Sequence, residues 1–320
     1  MSKRFRIVVL DGFTTDQGNP EIWNELRKLG DLTVYDRTRP EETAERCAGA
    51  EIVLTNKVIL NEPLMAPGLR YIGLLATGTN AVDLDAARRR GIPVTNVPGY
   101  STDSVAQLVF ALLLHFTHDV AGHDADVKSG AWAASPDFCF IRQPLIELNG
   151  KTLVVVGSGA IGSAVARIAR AFGMSVVSAR VPGSSNTNRT PLEEALPVAD
   201  VITLHCPLTE KTRDLVDRRV LSLLKPTAIL INTGRGPLIR ESDLIEALDQ
   251  GRLGGVGLDV LSREPPIENH PLLNPKALWS RKVIVTPHLG WATVEARRRL
   301  AEMATANLRA FLAGESVNRV

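Results

Sequence analysis

The chain has 320 residues, 44% hydrophobic and 22% charged, with 37 basic and 35 acidic side chains. That length exceeds one ordinary domain and asks for about two, with the composition of a soluble globular protein. A formal net charge of +2 gives no electrostatic ground for a nucleic-acid partner or an anionic membrane.

The basic clusters Arg88–Arg90 and Arg297–Arg299 fall in helix-like text and read as solvated faces. Cys47, Cys139 and Cys206 have no metal-ligand spacing and form no even set, so a reduced, cytoplasmic setting is expected. "MSKRF" runs directly into "RIVVL" without a small-residue cleavage site, so no signal peptide is expected. The apolar run "VAQLVFALLLHF" (105–116) is well short of a membrane span and reads as a buried helix.

In chain order the first strand candidates are "RIVVL", "LTVYD", "EIVLTN", "YIGLLATG" and "IPVTNV". "NVPG" (96–99) closes this series, and a long helix is expected from about Ser101 to His118. A second series follows: "TLVVVG", "SVVSA", "VITLHC", "AILINTG", "VGLDV" and "VIVTPH". "TPHLGW" (286–291) ends it, before a final helix from about Thr293 to Ala313. Continuous apolar strands separated by helices call for parallel sheets covered on both faces. The fold class is therefore α/β, with two doubly wound parallel-sheet domains. The last helix needs a surface to cover, so the chain is expected to return to the first domain. The two crossings would form a hinge beside a ligand cleft.

Gly157, Gly159 and Gly162 in "VVVGSGAIG" form a G-x-G-x-x-G turn between a strand and a helix. Gly157 permits the turn, Gly159 lets a pyrophosphate approach the backbone, and Gly162 lets helix and strand pack closely. The phosphates would meet free N–H groups at the helix start, near Ala160 and Ile161. The next strand should end on an acid that grips the adenosine ribose. It ends on Arg180, about 18 residues beyond Gly162. A fixed cation with forked donors matches a 2′-phosphate, so NADP(H) is the preferred cofactor and NAD(H) the secondary one. "PGSSNTN" (182–188) offers hydroxyls and amides to complete that site, and Arg180→Asp is the direct test of it.

Three further strand ends carry polar residues. "INTGRG" places Arg235, "GLDVLSREPP" places Asp259 and Glu264, and "IVTPHLGW" places His288. Taken singly, Arg235 could be a surface cation, Glu264 a turn cap and His288 a satisfied core histidine. Their joint position at the carboxyl ends of strands favours a site. His205 reads as structural or cofactor-adjacent, and no metal is expected.

These motifs, in this order, resemble the D-isomer-specific 2-hydroxyacid dehydrogenases. The resemblance runs over nearly the whole chain, through "LATGTNAVDLDAARRRGIPVTNVPGYSTDSVAQ" (75–107), "GKTLVVVGSGAIG", "HCPLTEKTRDLV" and the three strand-end motifs. "SPDFCF" (135–140), "TNK" (55–57) and the Trp after "HLG" are most similar to glycerate dehydrogenases, or hydroxypyruvate (glyoxylate) reductases. The resemblance implies a Rossmann dinucleotide-binding domain at 100–289, inserted in a flavodoxin-like substrate domain of 1–99 and 290–320. Arg235 would hold the carboxylate and carbonyl oxygen of a small 2-oxo or 2-hydroxy acid. His288 would exchange a proton with the C2 oxygen, and Glu264 would favour its imidazolium. Thr77 and Gly78 would bind the substrate carboxylate through their backbone. Asp259 would bond the nicotinamide carboxamide, with Cys206, Thr233, Gly234, His288 and Gly290 lining the cofactor. A homodimer is implied, formed by the 101–118 helix and "SGAWAASPDFCF" (129–140). Trp132 would enter the partner's cleft or pack in the interface. Leu54 to Lys57, Leu75, Trp291 and the partner chain are the candidates for the substrate side-chain pocket.

The chain departs from the family pattern at Arg180 and at Ser158 and Ala160, where a bulkier residue and an Arg are frequent. Two other readings stand beside the NADPH-dependent reductase. One is an NAD-dependent dehydrogenase of another D-2-hydroxy acid such as phosphoglycerate, which is disfavoured because no C-terminal regulatory domain is expected. The other is a corepressor-like, dinucleotide-sensing binding protein, which the expected lack of long disordered tails disfavours.

Overall fold

The computed structural model describes residues 4–184 and 188–320. The chain divides into two units, one of residues 1–101 and 291–320, the other of residues 102–290.

The first unit holds five parallel strands: β1 (Phe5–Val9), β2 (Gly30–Val34), β3 (Ile52–Thr55), β4 (Tyr71–Leu74) and β5 (Val94–Thr95). Their order is β2-β1-β3-β4-β5, the flavodoxin-like winding. Successive residues point to opposite faces and feed two cores. Val8, Val53 and Ile72 pack with Ala86 and Ala87 on one face. Ile7, Val9, Ile52 and Leu54 pack on the other with Trp23, Leu300, Ala304 and Leu308. The last three belong to the Val294–Leu312 helix, whose i, i+4, i+8 spacing makes one apolar stripe. Thr293 caps this helix by accepting from the Ala296 N–H (3.2 Å), and Asn307 ties it to the Asn96 carbonyl (2.8 Å).

The second unit holds six parallel strands: β6 (Thr152–Val156), β7 (Ser175–Ala179), β8 (Val201–Leu204), β9 (Ile229–Asn232), β10 (Gly255–Leu258) and β11 (Val283–Val285). The order is β11-β10-β9-β8-β6-β7. Every residue of β8, β9 and β10 is buried, which is why their sequences lack polar alternation. Leu153, Val155, Val201 and Ile231 pack beneath the Thr102–His118 helix. Val154, Val156, Ile202 and Leu230 face the second core, with Leu244 and Leu248 of the Glu241–Asp249 helix. Among the described residues the sheet continues beyond β7 by a single residue. Thr190 bridges Ala179, and its carbonyl accepts the Arg180 N–H (2.8 Å). Such a one-residue pairing leaves no apolar run in the text.

The winding reverses between β6 and β8, the switch point where open α/β sheets bind ligands. Among the described residues no single helix is long and apolar enough to cross a membrane.

Leu230 is fully buried at the centre of β9, flanked by β8 and β10. Leu230→Ala should destabilise the second unit by about 2–5 kcal/mol, read as a lower urea midpoint at similar slope. An unchanged midpoint would refute this position in the core.

Candidate active site

Six strand ends of the second unit meet at one sheet edge. β6 is followed by Gly157, β7 by Arg180, β8 by His205 and Cys206, β9 by Thr233 to Arg235, β10 by Asp259, and β11 by the turn carrying His288.

The glycine turn has three distinct geometries. Gly157 has φ 95°, and a Cβ there would stand 2.6 Å from the Cys206 nitrogen. A Cβ on Gly162 would stand 2.0 Å from the Gly157 carbonyl oxygen. Both positions are therefore closed to any side chain. Gly159 has open space within 4 Å. It precedes the Ala160–Ala171 helix, whose N-terminus has no side-chain cap. Unpaired N–H groups and a clear approach fit an anionic phosphate. The hydroxyl oxygens of Ser158 and Thr233 are buried without a partner among the described residues, as expected of groups that a bound molecule would satisfy. Ala160 is exposed at the helix start, whereas Ile161 is half-buried against the core. Cys206 is buried, and its thiol is pushed up to about 11 by burial, so its contribution is backbone.

A cavity of about 670 Å³ opens beside this turn, lined by Ser158, Gly159, Gly183, Arg189, His205 and Lys211 among others. Arg180 does not line it. The Arg180 guanidinium instead lies within electrostatic reach of Glu193, whose carboxyl is held below its usual range by a backbone hydrogen bond, by Arg219 and, last, by Arg180. The Arg180 Nε is buried and has no hydrogen-bond partner among the described residues. Of the expected "PGSSNTN" groups, Pro182, Gly183 and Ser184 line the cavity, whereas Ser185, Asn186 and Thr187 lie outside the described residues.

At the other end of the edge, His288 Nδ1 meets Glu264 Oε2 at 2.6 Å, leaving Nε2 to face outward chemistry. Glu264 Oε1 accepts the Leu261 N–H (3.0 Å), which fixes the carboxylate. His288 has φ 51°, a conformation costing about 1–2 kcal/mol for a residue with a Cβ. Asp259 holds the turn in that shape. Its Oδ1 accepts the Thr286 hydroxyl (2.6 Å) and the Leu289 N–H (2.9 Å), and its Oδ2 accepts the Gly290 N–H (2.8 Å). Burial raises the Asp259 carboxyl above its ordinary value, and these hydrogen bonds and His288 pull it back down.

Asp259, which the resemblance assigns to the nicotinamide carboxamide, also holds this turn. The side chain is 2% exposed, and three of its roughly four acceptor positions are taken by the turn that carries His288. Sequence pattern shows an acid at a strand end and cannot show which neighbours donate to it.

Arg235 is half-buried and extended, and its Nη1 donates to the Gly234 carbonyl (2.8 Å). Among the described residues no carboxylate lies within 4.0 Å of its guanidinium, which suits an incoming anion. The fully buried Asn232 shapes this turn, donating to the Arg235 carbonyl (2.8 Å) and accepting the Gly234 N–H (3.0 Å). Neither this role of Asn232 nor that of Thr286 was visible in the motifs that contain them.

In the first unit, Thr77 and Gly78 follow β4. The Thr77 hydroxyl donates to the Val97 carbonyl (2.9 Å), and Asn96 donates to the Thr77 carbonyl (2.7 Å). The loop is thus pinned with the Thr77 and Gly78 N–H groups carrying no bond among the described residues. Two expected pocket residues are corrected: Leu54 and Leu75 are fully buried core side chains and offer no wall to a ligand. Lys57 is exposed, and Trp291 is half-buried edge-on to Tyr100. The 56–58 backbone is fixed by Asp11, which accepts the N–H groups of Asn56 (2.8 Å), Lys57 (2.6 Å) and Val58 (3.2 Å). No sequence spacing links Asp11 to that loop.

Residues 110–290 match the D-isomer specific 2-hydroxyacid dehydrogenase, NAD binding domain family. The chain belongs to this family. It is 43% identical to a hydroxypyruvate reductase of Blautia hydrogenotrophica, over 98% of this chain and 99% of that one. It is 38% identical to a glycerate dehydrogenase of Methylorubrum extorquens, over 89% and 90%. A solved NADPH-dependent glyoxylate/hydroxypyruvate reductase of Sinorhizobium meliloti, in complex with NADP and malonate, superposes with TM-score 0.82 at 30% identity, covering 99% of this chain and 97% of that one. As a member of this family the chain is an NAD(P)-dependent oxidoreductase.

His205 lines the cavity and bonds the Thr203 hydroxyl through Nε2 (2.8 Å). Burial pushes its pKa down to about 4 from 6.5. Between those values the unfolded chain binds a proton that the folded chain does not. His205 therefore leaves stability intact above about pH 6.5 and lowers it as pH falls toward about 4. Melting temperatures over this window should decline less steeply for His205→Asn than for the parent chain. Equal slopes would refute the neutral assignment.

Proposed function

We propose that the protein is an NADPH-preferring reductase of small 2-oxo acids, converting hydroxypyruvate or glyoxylate to D-glycerate or glycolate. The observation that carries this reading is the His288–Glu264 pair (2.6 Å) on the sheet edge that also holds Arg235 and the glycine turn. Support for the substrate comes from relatives named for hydroxypyruvate, glycerate and glyoxylate. Support for NADPH comes from the missing acid after β7 and from the cations Arg189 and Lys211 in the adjoining cavity.

When bound, the nicotinamide cofactor supplies the hydride that reduces C2 of the oxo acid. Gly157, Gly159, Ala160 and Gly162 hold its pyrophosphate, and Thr233, Gly234 and the Cys206 backbone line its path. Arg235 pairs with the substrate carboxylate and polarises the C2 carbonyl with its forked donors. In the first unit, the Thr77 and Gly78 N–H groups are a separate candidate for binding a carboxylate. His288 donates a proton from Nε2 to the developing alkoxide. Glu264 at Nδ1 holds the ring orientation, and Asp259 holds the turn on which the ring is mounted. In the oxidative direction the same nitrogen accepts the proton.

The NADPH preference predicts a higher kcat/KM with NADPH than with NADH, across a panel of 2-oxo acids led by hydroxypyruvate and glyoxylate. Equal or better use of NADH would sink it and favour an NAD-dependent dehydrogenase of another D-2-hydroxy acid. His288→Ala should lose about 10²–10⁴-fold in turnover while still quenching NADPH fluorescence on binding. Unchanged turnover would refute the assignment.

A cytoplasmic homodimer completes the proposal. Cys47, Cys139 and Cys206 are free thiols, which suits a reducing compartment. The Val120–Lys128 helix has no buried residue, and the following segment exposes Trp132, Phe138, Ile141 and Leu145. Phe138 is 91% exposed, a costly state for an aromatic side chain unless a second copy covers it. Trp132 is half-exposed with its indole N–H donating to the Phe138 carbonyl (2.9 Å), so its ring belongs to this proposed interface. Light scattering should return twice the chain mass of 34.7 kDa, and a monomer would remove the idea.

A further inference from the structure

We infer that Arg189 and Lys211 form the recognition site for the adenosine 2′-phosphate, and that Arg180, the strand-end residue, does not. This inference rests on the dinucleotide reading of the glycine turn.

The cavity that adjoins Gly159 is lined on one side by the loop after β7 (Val181, Pro182, Gly183 and Ser184) and on another by the loop after β8 (Pro207 and Thr209 to Thr212). The adenosine ribose of a dinucleotide belongs at the end of the second strand of such a unit, which is β7 here. Its 2′-oxygen therefore faces this cavity. Among the described residues two cations line the cavity, Arg189 and Lys211, and one carboxylate, Glu210. Among the described residues neither cation has a carboxylate within 4.0 Å, so both charges are available to a ligand.

Lys211 reaches across from its own loop to the β7 loop. A Cβ added at Gly183 would stand 2.6 Å from Lys211 Cδ and 3.6 Å from its Nζ. The absence of a side chain at Gly183, together with its φ of 80°, lets the lysine stem lie over the loop where the ribose is expected. Arg189 approaches from the segment that returns to bridge β7 through Thr190. It is half-buried, which limits solvent screening and favours a bidentate pairing with phosphate oxygens.

Arg180 has the residue type for this work and the wrong surroundings. It is absent from the cavity lining, and its charge acts on Glu193, already paired with Arg219 at 3.1 Å. Arg180→Asp would bring a second carboxylate toward Glu193, so its effect would mix local repulsion with any loss of cofactor binding.

The test is isothermal titration of the full chain with adenosine 2′,5′-bisphosphate and with 5′-AMP, which differ only by the phosphate in question. The parent chain should prefer the bisphosphate. Arg189→Ala and Lys211→Ala should each weaken bisphosphate binding by about tenfold or more, with 5′-AMP changed little, because each removes one charge-assisted contact. Arg180→Ala should keep the preference. Retained 5′-AMP binding reports an intact fold, and the two variants are independent, so a failure of one to fold leaves the other to decide. A preference that survives both variants, or that is lost in Arg180→Ala alone, overturns this inference and leaves the NADPH reading standing. A parent chain that binds both probes equally overturns the NADPH preference as well. A parent chain that binds neither overturns the dinucleotide reading itself.

Discussion

Everything at the functional edge depends on parallel strand pairing. In a parallel sheet all strands point one way, so the residue after each strand reaches the same edge however far apart the segments lie in sequence. Gly157, Arg235, Asp259 and His288 span more than a hundred positions and converge because β6, β9, β10 and β11 are parallel. Burial of both faces enforces that pairing, since the fully buried strands β8, β9 and β10 leave no solvated side on which an antiparallel hairpin could rest.

Onto this frame the chain adds fixed turns rather than mobile ones. His288 adopts a left-handed backbone that its own side chain disfavours, and Asp259 offsets the cost with three hydrogen bonds to the same turn. Asn232 fixes the Arg235 turn with two hydrogen bonds, and Asp11 fixes the 56–58 loop with three. These acids and amides touch no substrate in the proposed mechanism. They determine where the groups that would touch it point, which is the condition for preorganised electrostatic catalysis.

Eleven strands were legible as apolar runs, and the long helices as apolar stripes of helical spacing, because burial leaves a periodic trace in residue type. The same trace misled at Leu54 and Leu75, where an apolar residue in a loop-bordering motif reads equally as pocket wall or core. Thr190, a strand of one residue, left no trace at all. Glu264 and His288 were readable as candidates, but their contact required β10 and β11 to be neighbours.

The sequence by itself determined the α/β class, the family, the glycine turn and the identities of Arg235, Glu264 and His288, since each is carried by local pattern. Only the tertiary structure decided what Asp259 holds and which cations line the cavity beside Gly159. The physical reason is that a side chain's type is set locally, whereas its electrostatic partners come from segments that meet only when the sheet closes its order. Arg189 and Lys211 lie more than twenty residues apart in sequence and line one cavity because the β7 and β8 loops end at the same edge.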